Sequence, residues 1–448
     1  MITKYGISFI DDGLGLEAAK RYQARRNALV AAVGCPILLE SPPHRPGLEN
    51  PWSYAYAPVY QDPLILYLTG INQTGIALYL SPEKDVLFLK KQDAKTVFWE
   101  GHYLAYGSEE SATITGFSEI KDREEWPTDS AHWSKNSKQI GLFWDLPKQS
   151  QKKVSMGSSY ALLKTRLEAK APDTRFINIA QTQYRQRLNC DKVAIQMAQK
   201  AVDINQRAFV ELLPNIPKLE TETAVCGHLL GKLLAQTPYG LSFSPIVASG
   251  PHAAILHYSS NSSVLNQGDL LLLDFGCNWQ SMCPDTSRTV PVSGRFNPMQ
   301  RILYEIVLDT QLYTETCVKA GVSIVEINQL TWSFLNRALE ERFLKIGGRC
   351  QLDYEHAPHF VSHVIGSVVH DGDLFGDYRS EPLTEGMIIS NEPGLYGYFE
   401  IVLDGISYAA KLGIRIEDML LVQQNGTRNL SQQIPKSVQE IEYLMGVC

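Results

Sequence analysis

The stretch LLLLDFGCNWQSMCPDTSRTVPVSG, residues 270–294, decides how the second half of the chain folds. A run of four leucines ends at Asp274, and a second apolar run, TVPVSG, follows Asp285 after the turn-like NWQSMCP. Two strands joined in this way can return alongside each other, so we expect both carboxylates to face one cavity. Taken alone, an aspartate at a strand end is usually a turn or cap residue.

A second segment, HFVSHVIGSVVHD, concentrates histidines in a chain that has only ten. His359, His363 and His370 stand at intervals of four and seven. In a helix, residues four apart share a face; in a strand the interval of four keeps one face but the interval of seven does not. Both conformations stay open. A single histidine in an apolar run is more often a core residue, whereas three so close together favour a site.

Two glutamates and an arginine complete the candidate set. Glu392 in IISNEPGLYG and Glu417 in GIRIEDMLL each lie beside a strand-like run. Either alone is the kind of residue that is seldom buried, and Asp418 is expected to be a surface charge. Arg415 is predicted to be a salt-bridge partner or a group that orients a ligand carboxylate or carbonyl.

Four carboxylates in apolar surroundings predict a metal site, because buried carboxylates are unfavourable unless they are paired or bind a metal. Oxygen donors with one imidazole favour Mn, Co, Fe or Mg over structural zinc. The set exceeds what one divalent ion needs for neutrality, so two ions about 3.5–4 Å apart, bridged by carboxylates and a water, fit better. Such a pair acidifies water and polarises a carbonyl. The pattern therefore predicts a hydrolase.

Composition bounds the class of protein. A chain of 448 residues predicts two domains, and its net charge of -7 gives no general attraction to nucleic acid or to an anionic membrane. Its eight cysteines form no CxxC pair, which argues against a thiolate zinc site and a disulfide framework. The start of the chain lacks the pattern of a secretory signal. We expect a cytoplasmic protein with neither nucleic acid nor membrane as partner.

Apolar spacing and turn residues divide the chain near residue 180, to within about ten residues. Before it, GIALYL and DVLFLK predict two strands joined by SPEK, in an α/β part without a catalytic constellation. Helices are predicted at 18–32, SSYALLKTRLEAK, Asp191–Leu213, Glu220–Ala235, Pro298–Ala320 and Ser323–Leu344. Ser323 and Glu326 form a capping box for the last of these.

The order of the segments resembles that of the proline-specific metallopeptidases with the pita-bread fold. HY at 257, LLLLDFG, PDTSRT, HFVSH, NEPG and RIED are most similar to Xaa-Pro aminopeptidase (aminopeptidase P), with Xaa-Pro dipeptidase a near relative. DPLILYLTGINQTGIALYL is similar to the N-terminal domain of aminopeptidase P. The resemblance implies an α/β (α+β) chain. It also implies a creatinase-like α/β domain, residues 1–180, that would serve oligomerisation and substrate access. The implied catalytic domain, residues 181–448, would have the pita-bread fold, a curved antiparallel sheet flanked by helices.

The resemblance also implies residue roles. Asp274 would chelate one of two divalent ions, usually manganese; His363 and Glu392 would bind the other, and Asp285 with Glu417 would bridge them. Glu392 would also act as base for the bridging water. Three histidines would steady the scissile carbonyl and move protons, and an arginine would contact the substrate or hold the network: His257, His359, His370 and Arg415. In the implied reaction, a hydroxide activated by the two ions would attack the first peptide bond. This would release the N-terminal residue of peptides with proline in second position. The implied assembly is a homodimer or homotetramer.

Some residues depart from the family pattern, and other functions compete. Phe360 and Ser367 stand in the histidine segment where the family has other residue types, Cys283 and Pro284 precede Asp285, and the Pro42–Pro63 stretch is unusual for the N-terminal domain. A dipeptidase would share every metal ligand. A non-catalytic binding protein of this fold would typically lack ligands, and a creatine-cleaving enzyme would need no metal cluster.

Overall fold

The computed structural model describes residues 16–41, 58–59, 61–144, 158–372 and 378–446. They form two compact units, one comprising the described residues up to Arg187 together with Gly372, the other the remainder from Leu188. The division lies seven residues beyond the boundary placed at residue 180. Most of the Pro42–Pro63 stretch falls outside the described residues. None of the helices described is long and apolar enough to cross a membrane.

The first unit is built on a mixed six-stranded sheet in the order β4-β3-β2-β1-β5-β6. Its strands are β1 Ile37–Glu40, β2 Ala77–Leu80, β3 Asp85–Leu89, β4 Glu119–Asp122, β5 Gln139–Leu142 and β6 Arg175–Asn178. Its helices are α1 Leu16–Val33, α2 Pro63–Thr69, α3 Ala94–Glu100, α4 Glu109–Thr115, α5 Trp126–Lys135, α6 Ser158–Lys170 and α7 Ala180–Leu188. The predicted GIALYL and DVLFLK strands are β2 and β3, which pair antiparallel. Phe88 packs edge-on against the buried Trp126 with ring centroids 5.1 Å apart.

The second unit consists of antiparallel strands and helices. Its helices are α8 Lys192–Leu212, α9 Glu222–Leu234, α10 Pro298–Cys317, α11 Ile324–Arg342 and α12 Val438–Leu444. Its strands are β7 Ile246–Ser249, β8 Leu270–Asp274, β9 Ser287–Pro291, β10 Arg349–Leu352, β11 Ile388–Asn391, β12 Gly394–Leu403, β13 Ile406–Arg415, β14 Asp418–Gln423 and β15 Gly426–Asn429. They form three three-stranded sheets, β7-β8-β9, β10-β12-β13 and β11-β14-β15.

The predicted helices of this unit are confirmed, and their ends have the expected chemistry. Asp191 caps α8 by accepting a hydrogen bond from the backbone N–H of Ala194, and the α-helix ends at Leu212, before Pro214. Ser323 and Glu326 form the predicted capping box of α11. The first turn of each helix therefore has side-chain acceptors for its free N–H groups.

Strand pairing brings four chain segments to one place. In the β8–β9 hairpin Asp274 lies opposite Ser287, and in the β12–β13 hairpin Gly394 lies opposite Arg415. β11 pairs with β14 so that Asn391 faces Asp418. The residue that follows β11 and the residue that precedes β14 are therefore neighbours. These two residues are Glu392 and Glu417.

The histidine segment, residues 359–371, is neither of the two conformations left open by its spacing. It contains no helix and no strand, only a single bridge between Val364 and Ile389. Its backbone is nevertheless bound to β11, since Ser390 N–H donates to the His363 carbonyl at 2.9 Å. The His363 N–H donates to the Ser390 hydroxyl at 2.9 Å instead of to a carbonyl. A side-chain acceptor thus interrupts the ladder that would have made this segment a strand.

Candidate metal centre and active site

Four carboxylates and one imidazole come together at the strand ends of the second unit. They fall into overlapping sets whose ligand atoms lie within 4.8 Å of one another. One set is Asp274, Asp285 and Glu417, and another is His363, Glu392 and Glu417. A third set joins Asp285 and His363 to His370. The five residues assigned to the metals from the resemblance therefore occupy one site, since Asp285, His363 and Glu417 each belong to two of the sets.

The imidazole of His363 lies at the centre of this cluster. Its Nε2 atom is 3.4 Å from Glu392 Oε1, 3.8 Å from Asp285 Oδ2 and 3.9 Å from Glu417 Oε1. His363, Asp285 and Glu417 are buried, and the Glu392 side chain is 15% exposed. The acids thus surround one imidazole at distances too long for strong hydrogen bonds and suited to groups that share a ligand.

Arg415 and Ser287 orient the acids from one side. Arg415 Nη2 donates to Asp274 Oδ2 at 2.6 Å, and Arg415 Nε donates to the Ser287 hydroxyl at 2.8 Å. The Ser287 hydroxyl in turn donates to Glu417 Oε2 at 2.9 Å. One oxygen of Asp274 and one of Glu417 are therefore fixed by the protein. The salt-bridge alternative for Arg415 is the one that the structure displays.

Burial and mutual repulsion act on the protonation of the cluster. Burial, together with the charges of Asp274 and Glu417, raises the pKa of Asp285 well above its usual range. Burial and the charges of Glu392 and Asp274 do the same for the pKa of Glu417. Burial raises the pKa of Glu392 to about 7, although Arg415 and His370 act in the opposite direction. Arg415 is thus too little positive charge for four acids, which is the situation that a bound cation resolves.

The free carboxylate oxygens fit divalent cations. Asp274 Oδ1 and Glu417 Oε1 are buried and have no hydrogen-bond partner within the part of the chain that the structure describes. Their sister oxygens are the ones bound by Arg415 and Ser287. A buried oxygen without a donor is unfavourable unless it binds a cation. Oxygen donors with one imidazole suit manganese-type ions, so the residues present fit the predicted metals.

The three remaining histidines lie around this cluster to different degrees. His359 Nδ1 lies 3.9 Å from Glu392 Oε2 and 2.8 Å from the Phe360 carbonyl, and its Nε2 is 3.1 Å from the Tyr396 hydroxyl. His370 is exposed, with its ring centroid 4.1 Å from that of His363. His257 is exposed on the turn that follows the 3₁₀ segment Gly250–Ala254.

His359 is held in its neutral form. Burial lowers its pKa to about 4, against the effect of the Phe360 carbonyl, and the charges of Arg415 and His257 lower it further. The contact with the carbonyl requires the proton on Nδ1, so Nε2 accepts from the Tyr396 hydroxyl. A neutral imidazole with a defined tautomer can both donate and accept a proton.

Asp418 contradicts the prediction that it is a surface charge. It is fully buried, and its Oδ1 accepts from Arg288 Nη2 at 2.7 Å. Its Oδ2 accepts from Lys436 Nζ at 2.5 Å, and also from Gln311 and Asn429. The prediction failed because both cations lie far away in the sequence, where no local pattern connects them to RIED.

Three further residues of the site were missed from the sequence: Ser287, Ser390 and Tyr396. Ser287 had a signal, because it lies two residues after Asp285 and the period of a strand puts both side chains on one face. Ser390 and Tyr396 flank Glu392 at two and four residues and have no such signal. The unusual Phe360 is 40% exposed, and the Arg379 guanidinium lies 4.9 Å from its ring centroid.

Each of the two units matches a known protein family. Residues 196–424 match metallopeptidase family M24, and residues 22–142 match the aminopeptidase P N-terminal domain. The chain is 29% identical to a Xaa-Pro aminopeptidase of Haemophilus influenzae, covering 87% of this chain and 89% of that one. It is 27% identical to Xaa-Pro aminopeptidase 3 of Homo sapiens, covering 91% and 80%.

Solved structures show the same fold. Aminopeptidase P from Escherichia coli with the inhibitor Pro-Leu superposes with a TM-score of 0.79 at 24% identity, covering 95% of this chain and 98% of that one. Proline aminopeptidase P II from Yersinia pestis gives the same TM-score and identity, covering 96% and 100%. The predicted architecture, an α/β N-terminal domain followed by a pita-bread domain, is confirmed.

Proposed function

Because the chain belongs to metallopeptidase family M24, we propose that it is a metal-dependent aminopeptidase that releases the N-terminal residue from peptides with proline in second position. The observation that carries the proposal is the cluster formed by four acids and His363, in overlapping sets of three residues whose ligand atoms lie within 4.8 Å of one another. Relatives matched over most of the chain include Xaa-Pro aminopeptidases, and residues 22–142 of this chain match the aminopeptidase P N-terminal domain.

Two divalent ions, most suitably Mn²⁺, would be held by five residues: Asp274, Asp285, His363, Glu392 and Glu417. Asp274 would serve one ion, His363 with Glu392 the other, and Asp285 with Glu417 both. When bound, such ions lower the pKa of water and polarise a peptide carbonyl. The free oxygens of Asp274 and Glu417 support this assignment, since nothing in the described chain donates to them.

The protein's own groups would position the peptide and move protons. The Glu392 side chain is 15% exposed and lies 3.4 Å from His363 Nε2, so it is placed to accept a proton at the cluster. His359 lies between Glu392 and Tyr396, with its Nδ1 3.9 Å from Glu392 Oε2 and its Nε2 3.1 Å from the Tyr396 hydroxyl, and Arg415 Nη1 lies 3.5 Å from that hydroxyl. We assign His359, His370 and His257 to steadying the scissile carbonyl and to proton movement, and Arg415 to holding Asp274 and Tyr396.

Selectivity for proline follows from the substrate's chemistry. The nitrogen of a Xaa-Pro bond carries no hydrogen, and the ring fixes the backbone angle φ. A general peptidase that recognises the N–H group at this position therefore loses that hydrogen bond with a Xaa-Pro substrate. A pocket shaped for the ring would select such bonds. Phe360, beside His359 and in contact with Arg379, is the residue by which this chain would differ from its relatives in peptide preference.

Peptide length separates this proposal from a strict Xaa-Pro dipeptidase. The dipeptidase would share every ligand, whereas the aminopeptidase P N-terminal domain favours the aminopeptidase. The test compares turnover of Xaa-Pro and Xaa-Pro-Yaa by the manganese-loaded protein, with Xaa-Ala-Yaa as the control. We expect the free N-terminal residue from the tripeptide with proline and little from the one with alanine. Activity confined to the dipeptide would overturn the choice.

We expect a homodimer or homotetramer, on the resemblance to enzymes in which the N-terminal domain of one subunit borders a neighbour's active site, and a cytoplasmic protein. Light scattering of the metal-loaded chain checks the assembly, and a monomer at micromolar concentration would refute it.

A further inference from the structure

One buried acid of the second unit has no part in the metal cluster. Glu222, the first residue of α9, is fully buried. Its Oε1 accepts from the N–H of Ser249 at 2.8 Å and from the Ser249 hydroxyl at 2.9 Å. Its Oε2 accepts from the N–H of Ser263 at 2.8 Å and from the Tyr258 hydroxyl at 2.9 Å. Only an ionised carboxylate has acceptor capacity for all four donors.

All of these donors belong to one segment, residues 249–263. Ser249 and Ser263 are its two ends, and Tyr258 lies between them. The segment begins at the last residue of β7, passes through the 3₁₀ turn and returns to α9, where the Glu222 N–H donates to the Ser263 carbonyl at 2.8 Å. His252 stacks on Tyr258 with ring centroids 4.6 Å apart and lies 3.5 Å from Glu222 Oε1. One carboxylate thus closes a loop of chain onto itself.

The loop carries His257 between these fixed points. Tyr258, whose side chain binds Glu222, is buried, whereas His257 beside it is exposed. On the other side the loop lies against β13, because a Cβ atom added to Gly413 would overlap the Ala253 carbonyl. β13 ends at Arg415, so the loop is held between Glu222 and the strand that enters the metal cluster.

Glu222 is also held in its charged form. Burial raises its pKa, but the hydrogen bonds from Ser263, Ser249 and Tyr258 outweigh burial, and the pKa is lowered from its ordinary value. A neutral side chain of the same size cannot satisfy the loop. Glutamine has one oxygen and an amide that donates, so one of the two backbone N–H groups would face another donor.

We propose that Glu222 is a positioning residue that fixes the loop 249–263 so that His257 meets the substrate. It does not touch the reacting atoms; it acts through the loop. This inference rests on the proposed function, in which His257 contacts the peptide. Its consequence is that Glu222 and His257 act as one unit, so that removing both has hardly more effect than removing His257 alone.

The experiment is a double-mutant cycle on the manganese-loaded full chain with a Xaa-Pro-Yaa peptide. E222Q is expected to lower kcat/KM by about 10- to 100-fold, the size associated with misplacing a catalytic group by about an ångström. In the H257A background the same substitution should change kcat/KM by less than about twofold. Metal content should stay at the wild-type value. The control is E326Q, which changes an exposed capping glutamate at the start of α11 and should leave kcat/KM unchanged.

A milder variant covers the case in which E222Q folds poorly. Y258F removes one donor to Glu222 and keeps the ring that stacks on His252, so it should lower kcat/KM by a few-fold, again only while His257 is present. Losses that multiply independently in the cycle, or an unchanged kcat/KM in both variants, would overturn the positioning role while the peptidase assignment stands. A wild-type protein that cleaves no Xaa-Pro peptide would refute the proposed function itself, and this role with it.

Discussion

Glu417 and Asp418 are consecutive, both buried, and yet electrostatically opposite. Asp418 is matched by Arg288 and Lys436, and although burial raises its pKa, these two cations lower the net value to about 2. Among the described residues, Ser287 is the one donor to the Glu417 carboxylate, and burial together with the acidic neighbours raises the pKa of Glu417 well above the usual range. The protein thus neutralises Asp418 with its own cations, whereas the charge of Glu417 is left to be balanced by a bound cation.

Strand geometry produces this separation. Ser287 and Arg288 are also consecutive, and the period of two sends their side chains to opposite faces of β9. On one face Ser287 meets Glu417, and on the other Arg288 meets Asp418. The Arg288 face is structural, because the charge of Asp418 is balanced there by Arg288 and Lys436. The Ser287 face is suited to a metal, because one buried oxygen each of Asp274 and Glu417 has no donor in the described chain, even though Arg415 pairs with the other oxygen of Asp274.

The largest effect is expected from removing the shared ligand. E417Q should abolish binding of at least one of the two ions and lower kcat/KM by on the order of 1,000-fold or more, because metal stabilisation of the reacting groups amounts to several kcal/mol. Elemental analysis of the purified variant and turnover of a Xaa-Pro-Yaa peptide measure the two results. A variant with full metal content and near wild-type turnover would remove Glu417 from the site.

The neighbouring substitution should act on stability instead. D418N leaves Arg288 and Lys436 without their carboxylate, and breaking a buried ion pair from one side typically lowers the free energy of unfolding by about 3–5 kcal/mol. Urea unfolding measures this loss. Metal content per folded molecule should remain that of the wild type. If D418N lost its metal as E417Q does while keeping its stability, the two faces would not be distinct.

Metal removal should sharpen the same difference. A saturating ion at about 100 times its Kd adds about 2.7 kcal/mol to the free energy of unfolding, so chelation should lower the stability of the wild type by that order per site. The free energy of unfolding of E417Q should fall much less on chelation, because a cluster with one negative charge fewer binds less metal. Unfolding with and without a chelator checks this. Equal responses of the two proteins would contradict the role given to the shared acid.

The smallest effect is expected from the hydroxyl that orients Glu417. S287A removes the donor to Oε2 and the acceptor for Arg415 Nε, and losing such a supporting hydrogen bond typically weakens metal binding by about 10- to 100-fold. S287T retains the hydroxyl and is the matched control. Calorimetric titration with Mn²⁺ measures the affinity. If both variants bound the metal as tightly as the wild type, orientation by Ser287 would be unnecessary.

Much of this fold and site could be predicted from the sequence because the signals are local. LLLLDFG and the run after Asp285 predict a strand pair from apolar runs and a turn, and Ser323 with Glu326 predicts a helix start. The acids of the cluster lie at or next to the ends of such strands. Their residue types and their order along the chain were therefore sufficient to predict that they share one site. Their individual roles toward the metals remain assignments from resemblance.

Long-range contacts could not be predicted from the sequence. Asp418 was expected at the surface because Arg288 and Lys436 lie 130 and 18 residues away and only the fold brings them to it. The histidine segment was expected to be helix or strand, and it is neither because the Ser390 hydroxyl replaces a backbone acceptor. Glu222 has no sequence signal at all, since all of its partners depend on how residues 249–263 return to α9.

The most direct test of the metal site is a calorimetric titration of the chelator-treated protein with Mn²⁺. The same samples are assayed for release of the N-terminal residue from a Xaa-Pro-Yaa peptide. Two equivalents per chain should bind, and product should form only as they do. A protein that binds no divalent ion, or that cleaves the peptide equally well without one, would contradict the metal site at Asp274, Asp285, His363, Glu392 and Glu417.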